Sequence, residues 1–170
     1  MRHTSVRISQ TYSYGQTDLP VAETFSDEAR QTARLLAPYR IDKAYTSPLQ
    51  RARRLADYCG FPDAQVDDRL KEMFMGDYEM VSFSRITPAD LDVWYSDYMN
   101  VSMPGGETMH DVLSRMQSFF EELRPKPYHD VAVFFHGCAI LCTLIWLKKV
   151  PPTANLDDIP PYGSVTTIEL

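Results

Sequence analysis

Residues 130–149, DVAVFFHGCAILCTLIWLKK, constrain this chain more than any other stretch. The first part, DVAVFFHG, is a short, continuous apolar run. A strand that is apolar on both faces has to be covered on both faces, which is the setting of a buried strand in a parallel sheet. The second part, AILCTLIWLKK, is apolar nearly all round and reads as a buried helix. A buried strand feeding directly into a buried helix requires further strands beside it and further helices across the sheet.

The rest of the chain supplies them. SDEARQTARLLAPY (26–39) reads as a helix, with Ser26 as N-cap, acids in the first turn, and Ala29, Ala33 and Leu36 on one face. DKAYTS (42–47) is a strand candidate, and Pro48 opens the helix PLQRARRLADYCG, which closes at Gly60. AQVDDRL (64–70) is a second short strand candidate. TPADLDVWYSDYM (87–99) reads as a helix with an aromatic stripe. ETMHDVLSRMQSFFEEL (107–123) is the clearest helix, and Thr108 and Asp111 are spaced like a capping box. GSVTTIEL (163–170) reads as a last strand. Alternating strands and helices give an α/β layered domain, and no linker divides residues 1–170. Ligands in such sheets bind beyond the carboxyl ends of the strands.

Composition excludes several classes. The chain has 170 residues, enough for one domain with a sizeable core, and a net charge of −6 without a Lys/Arg block. A nucleic-acid partner is not expected. No apolar run reaches membrane-spanning length and no apolar signal segment opens the chain, so the expected location is the cytoplasm. Three cysteines, Cys59, Cys138 and Cys142, fit reduced thiols. Cys138 and Cys142 near His136 resemble a metal pair only weakly, and two small buried side chains on a helix is the simpler reading.

Four fragments at strand-to-loop or strand-to-helix junctions carry groups suited to phosphate chemistry. They are Arg2-His3, YTSPLQRAR with Arg51, DDRLKEMFMGDYE with Glu72, and FFHGC with His136. Guanidinium forks match phosphate oxygens, and an imidazole can attack phosphorus. Each alone has a plain alternative: a solvated tail, a solvated helix arginine, a loop acid, a satisfied buried histidine.

Together they form a pattern. Arg2-His3-Thr4, Ser47-Pro48-Leu49-Gln50-Arg51-Ala52, Leu70-Lys71-Glu72 with Gly76 and Glu79, Gly105-Gly106-Glu107-Thr108, and His136-Gly137 resemble the histidine phosphatase superfamily, in its order and across nearly the whole chain. The phosphoglycerate-mutase-like fold that this implies is a three-layer sandwich, a mostly parallel sheet flanked by helices. RHTSV, YGQTDLP (14–20), the stretch from Asp42 to Glu79 and PYG (161–163) look most like the α-ribazole phosphatase branch.

The resemblance implies a phosphomonoesterase that needs no metal or other cofactor. Its partner is a small phosphorylated substrate such as α-ribazole 5′-phosphate of cobalamin biosynthesis. His3 would be the nucleophile, Arg2, Arg51 and His136 would surround the phosphoryl oxygens, and Glu72 would be the acid and base. Tyr14, Gly15 and Gln16 would line the substrate entrance, and Tyr14, Trp94, Tyr95 and Tyr98 are candidates to stack on a ring. A less specific sugar-phosphate phosphatase and a non-catalytic phosphate-binding protein are the alternatives. The chain departs from the family in three places, one of them Thr4-Ser5, where Gly-Glu is common elsewhere in the superfamily. Only Met1 precedes Arg2-His3 where the family has a strand, so the first strand is expected to be missing. Cys138 also follows His136-Gly137 where a glycine is common.

Overall fold

The computed structural model describes residues 1–9, 11–154 and 156–170. Its elements, in chain order, are α1 (Phe25–Leu36), β1 (Lys43–Thr46), α2 (Gln50–Tyr58), β2 (Gln65–Val66), α3 (Pro88–Ser96), α4 (Met109–Leu123), β3 (Val131–Phe134) and α5 (Gly137–Trp146). The sheet is parallel in the order β2-β1-β3, and Lys43–Thr46 run in register with Val131–Phe134.

Alternation along the strands decides the layers. Ala44, Ala132 and Phe134 face one side, against Ala29 and Leu36 of α1 and Ala52, Leu55 and Ala56 of α2. Tyr45, Val133 and Phe135 face the other, against Met109, Val112, Met116, Phe119 and Phe120 of α4 and Ile140 and Leu141 of α5. Helices therefore cover both faces of a parallel sheet, the three-layer architecture expected. Thr108 and Asp111 make the capping box: Thr108 Oγ1 accepts the Asp111 N–H, and the Asp111 carboxylate accepts the Thr108 N–H.

Several boundaries differ from the sequence reading. Helix α1 starts two residues earlier, with Thr24 rather than Ser26 at the N-cap. Helix α2 starts at Gln50 because Leu49, not Pro48, is the last extended residue. In AQVDDRL only Gln65–Val66 pair; Asp67 then accepts the Arg69 N–H and turns the chain into a 3₁₀ helix. GSVTTIEL forms no strand. Its backbone meets one short partner, with the Arg2 N–H donating to Ser164 O and the Gly163 N–H to His3 O. Two bonds do not make a ladder.

That partner is the chain start. No named strand forms there, as expected, yet residues 1–3 still lie along β3. The Met1 amine donates to Val133 O at 2.7 Å, the Phe135 N–H to Met1 O, and the His3 N–H to Phe135 O. Met1 and His3 are buried. Three bonds of parallel-sheet type thus hold the stub, where no pairing was expected from so few residues. Among the described residues, no helix is long and apolar enough to cross a membrane.

Candidate active site

The carboxyl ends of the pairing segments converge. The stub ends at His3, β1 runs into Ser47 and α2, and β3 runs into His136 and the N-terminus of α5. His3 and His136 are buried, with ring centroids 5.0 Å apart.

His3 has a defined tautomer. Its Nδ1 lies 2.7 Å from the carbonyl oxygen of Thr4, which can only accept, so Nδ1 carries the proton and Nε2 keeps its lone pair. Burial, then the positive charge of Arg51, holds the His3 pKa well below the usual histidine value despite the Thr4 bond. The ring is therefore neutral at physiological pH. His136 is held low in the same way, by burial first and then by Arg51, His3, Arg115 and Arg2. Its Nε2 meets Ser47 Oγ at 2.7 Å. That hydroxyl also accepts the Leu49 N–H, so its own proton is free to go to Nε2, which leaves Nδ1 as an N–H donor.

The two arginines are placed differently. Arg2 donates through Nη1 to Pro160 O at 2.6 Å, and its guanidinium carbon lies 3.8 Å from the centre of the Tyr162 ring. Arg51 is fully buried and donates to the carbonyls of Gly15 and Thr17. Arg2 Nε, Arg51 Nε and His136 Nδ1 are buried donors without a hydrogen-bond partner. Native interiors rarely leave such groups unmatched, and three of them around one histidine suit a multiply charged oxyanion.

Glu72 faces this group from its loop. Its carboxylate accepts the N–H groups of Met73, Cys138 and Ala139, the last two from the first turn of α5. The loop is fixed from behind by Arg115, which donates to the carbonyls of Arg69, Lys71 and Glu72 and is paired with Glu107 at 2.9 Å.

Arg2, His3, Glu72 and Tyr14 line one cavity of about 320 Å³, together with Trp94 and Tyr162. Arg51 and His136 sit behind it. Gly15 and Gln16, expected at the entrance, are not in its wall. Their N–H groups bind the Glu79 carboxylate, and the Gln16 side chain donates to Glu72 O and Glu107. A Cβ on Gly15 would collide with the carbonyl of Met73, so only glycine lets this loop close over Arg51. Burial opposes the Glu79 charge, but bonds from the Thr17 hydroxyl and the Gln16, Gly15 and Met75 N–H groups prevail and hold its pKa below the usual value. Trp94 is buried in the core and touches the cavity from there, Tyr98 packs partly buried against the same core, and Tyr95 is exposed, so the aromatic stripe serves mainly as core.

Sequence reasoning did not single out Tyr162, Arg115 or Ser47 for a role. Tyr162 packs on both Arg2 and His3 and bonds Tyr14 through the two hydroxyls at 2.8 Å. The PYG motif at 161–163 marks this stretch, but the contact spans most of the chain and no local pattern assigns Tyr162 its place beside Arg2 and His3. Cys138 and Cys142 are buried thiols with sulfurs 4.0 Å apart. No group of three His, Cys, Asp or Glu among the described residues is placed to hold a metal.

The two buried neutral histidines make stability depend on pH. Their folded pKa values lie below the unfolded value near 6.5, so between those values the unfolded chain binds more protons. Their contribution is complete above about pH 6.5 and is lost as pH falls toward the folded values, at up to about 1.4 kcal/mol per pH unit for each histidine. Urea unfolding at about pH 7 and about pH 5.5 is expected to show the loss. His136→Asn is expected to reduce the slope without abolishing it, because His3 and the buried Met1 amine, its pKa lowered to about 5 by burial, still bind protons more readily in the unfolded chain.

The comparisons agree with this geometry. The profile of the histidine phosphatase superfamily (branch 1) matches residues 1–170. A Hydrogenobacter thermophilus protein named as a phosphoserine phosphatase is 33% identical over 127 residues, 69% of this chain and 62% of its own. The chain thus spans under two thirds of that relative. A Photorhabdus laumondii protein named as a phosphoglycerate mutase is 28% identical over 150 residues, 83% of this chain and 69% of its own. A mycobacterial glucosyl-3-phosphoglycerate phosphatase superposes with a TM-score of 0.79 at 25% identity, over 88% of this chain and 78% of its own. With its family profile matched from end to end and an imidazole, two guanidiniums and a carboxylate gathered at the ends of a parallel sheet, the chain belongs to the histidine phosphatase superfamily.

Proposed function

We propose that the chain is a metal-independent phosphomonoesterase that works through a phosphohistidine. The observation that carries this reading is the His3–Thr4 bond, which leaves the Nε2 lone pair beside three unpartnered buried donors. Nε2 attacks phosphorus and forms the N–P bond while the ester P–O bond breaks. Arg2, Arg51 and His136 bear the spread charge of the transition state. Glu72 gives its proton to the leaving oxygen, then takes one from the water that cleaves the N–P bond and restores the Nε2 lone pair. Inorganic phosphate and an alcohol leave.

The candidate substrate is α-ribazole 5′-phosphate, in line with the resemblance of RHTSV and YGQTDLP and with a cavity lined by Tyr14, Trp94 and Tyr162. The test is phosphate release from α-ribazole 5′-phosphate and a panel of other phosphomonoesters, with and without chelator. Release unaffected by chelator is expected. Turnover restored only by an added divalent ion sinks the metal-free reading, and better turnover of another ester sinks the substrate.

Gly137 supplies a second test. A Cβ there would stand 2.6 Å from Ile159 Cγ2 and 3.1 Å from Arg2 Nε. Arg2 Nε lies far out on a flexible side chain and can give, whereas the Ile159 Cγ2 methyl sits on a stiff β-branched carbon. Gly137→Ala therefore folds only with a shift of the Ile159 segment, and circular dichroism checks the fold first. The substitution displaces Arg2 by a fraction of an ångström, for an expected fall in kcat/KM of about ten- to a hundredfold.

A further inference from the structure

We propose that the site takes phosphomonoesters whose leaving group is uncharged and apolar or aromatic. Esters that carry a carboxylate or a second phosphate beside the scissile group are rejected. This rests on the phosphatase reading above and adds the class of leaving group.

The cavity of about 320 Å³ equals roughly ten waters at about 30 Å³ each. That is room for a phosphoryl group and the part of the leaving group next to it, and the cavity is open to solvent for the remainder. Its charged end is Arg2 and Glu72, flanking His3. The rest of the wall is largely apolar or aromatic, with Val6, Ile8, Tyr12, Phe83, Leu156 and Ile159 among its residues. Arg2 is the one cation among the described lining residues. It already donates to Pro160 O and stacks on Tyr162, and in the proposed reaction it serves the phosphoryl group. Arg7 stands between Val6 and Ile8 in the chain but is exposed and outside the wall. Gln10 and Asn155, outside the described residues, are uncharged amides.

A carboxylate seated against this wall gives up its hydration and meets no cation, while the phosphoryl group repels it. An uncharged ring gives up nothing of the kind and gains contact with Tyr12 and Phe83. The same wall argues against a mutase, which has to grip a second anionic group while the phosphoryl moves.

The experiment compares benzyl phosphate with phosphoserine and 3-phosphoglycerate. Benzyl phosphate is expected to lead in kcat/KM by at least about a hundredfold. Calorimetric binding of benzylphosphonate against 2-carboxyethylphosphonate reads the same preference without turnover. Ile8→Arg and Phe83→Arg each place a cation in the wall, and in whichever folds by circular dichroism the gap is expected to narrow by about tenfold or more. Equal or reversed preference in the unaltered protein overturns the inference, as does a folded variant with an unchanged gap. If the folded protein turns over no ester, the phosphatase reading fails, and the phosphonate binding still decides the leaving-group class.

Discussion

His3→Ala is expected to lower phosphomonoester hydrolysis by at least roughly a thousandfold, the range seen when an enzyme loses its nucleophile. The reason is positional. Thr4 O fixes the protonated nitrogen, and burial with Arg51 keeps the ring neutral, so nucleophilicity is concentrated on one atom. No neighbour can replace it: His136 Nε2 is taken up by Ser47. Acid-free quenching with labelled substrate is expected to trap label on the unaltered protein and none on the variant. His3 also packs on His136 and Tyr162, so His3→Gln, which keeps bulk and polarity, is measured alongside. Activity within about tenfold of the unaltered protein in a folded variant would remove His3 from the mechanism.

Glu72→Gln is expected to cost about a hundred- to ten-thousandfold on alkyl phosphates, the usual worth of a positioned acid or base. The amide oxygen can still accept the Met73, Cys138 and Ala139 N–H groups, so the loop should hold its shape. The two chemical steps then separate. With p-nitrophenyl phosphate the leaving group needs no proton, so attack by His3 proceeds and hydrolysis of the phosphohistidine becomes slow. A burst of p-nitrophenol followed by slow turnover is the expected signature. Slow steady release without a burst would place Glu72 outside the acid–base role and leave it a positioning residue.

Much of this was legible in the sequence, for identifiable reasons. DVAVFFHG could only be a strand covered on both sides, and the structure seats Phe134 and Phe135 on opposite cores. Met109, Val112, Met116, Phe119 and Phe120 kept a helical period, and all are buried. Arg2, His3 and Glu72 share a cavity wall, with Arg51 and His136 directly behind. What escaped depends on contacts between distant parts of the chain. The 163–170 segment has the composition of a strand but only two backbone-to-backbone hydrogen bonds to the chain start, and no local pattern reports a neighbour's length. Gly15 and Gln16 were placed at the entrance by their position in the motif, but the Glu79 carboxylate 63 or more residues away draws their N–H groups inward. Tyr162 and Arg115 act across the fold, where neither periodicity nor spacing carries a signal.

The short pairing of Met1–His3 with β3 has a consequence for how the protein fails. The proposed nucleophile rides on backbone bonds of residues 1–3 to Val133, Phe135, Gly163 and Ser164. Met1 also packs into the core against α1 and α2, next to Ala132 and Phe134 of β3, so the segment is held by apolar contact as well. Local opening of such a segment is cheaper than global unfolding. Releasing His3 from its cradle therefore also pulls Met1 out of the core against α1 and α2, so the chemistry and part of that core's packing are expected to be lost together and regained together.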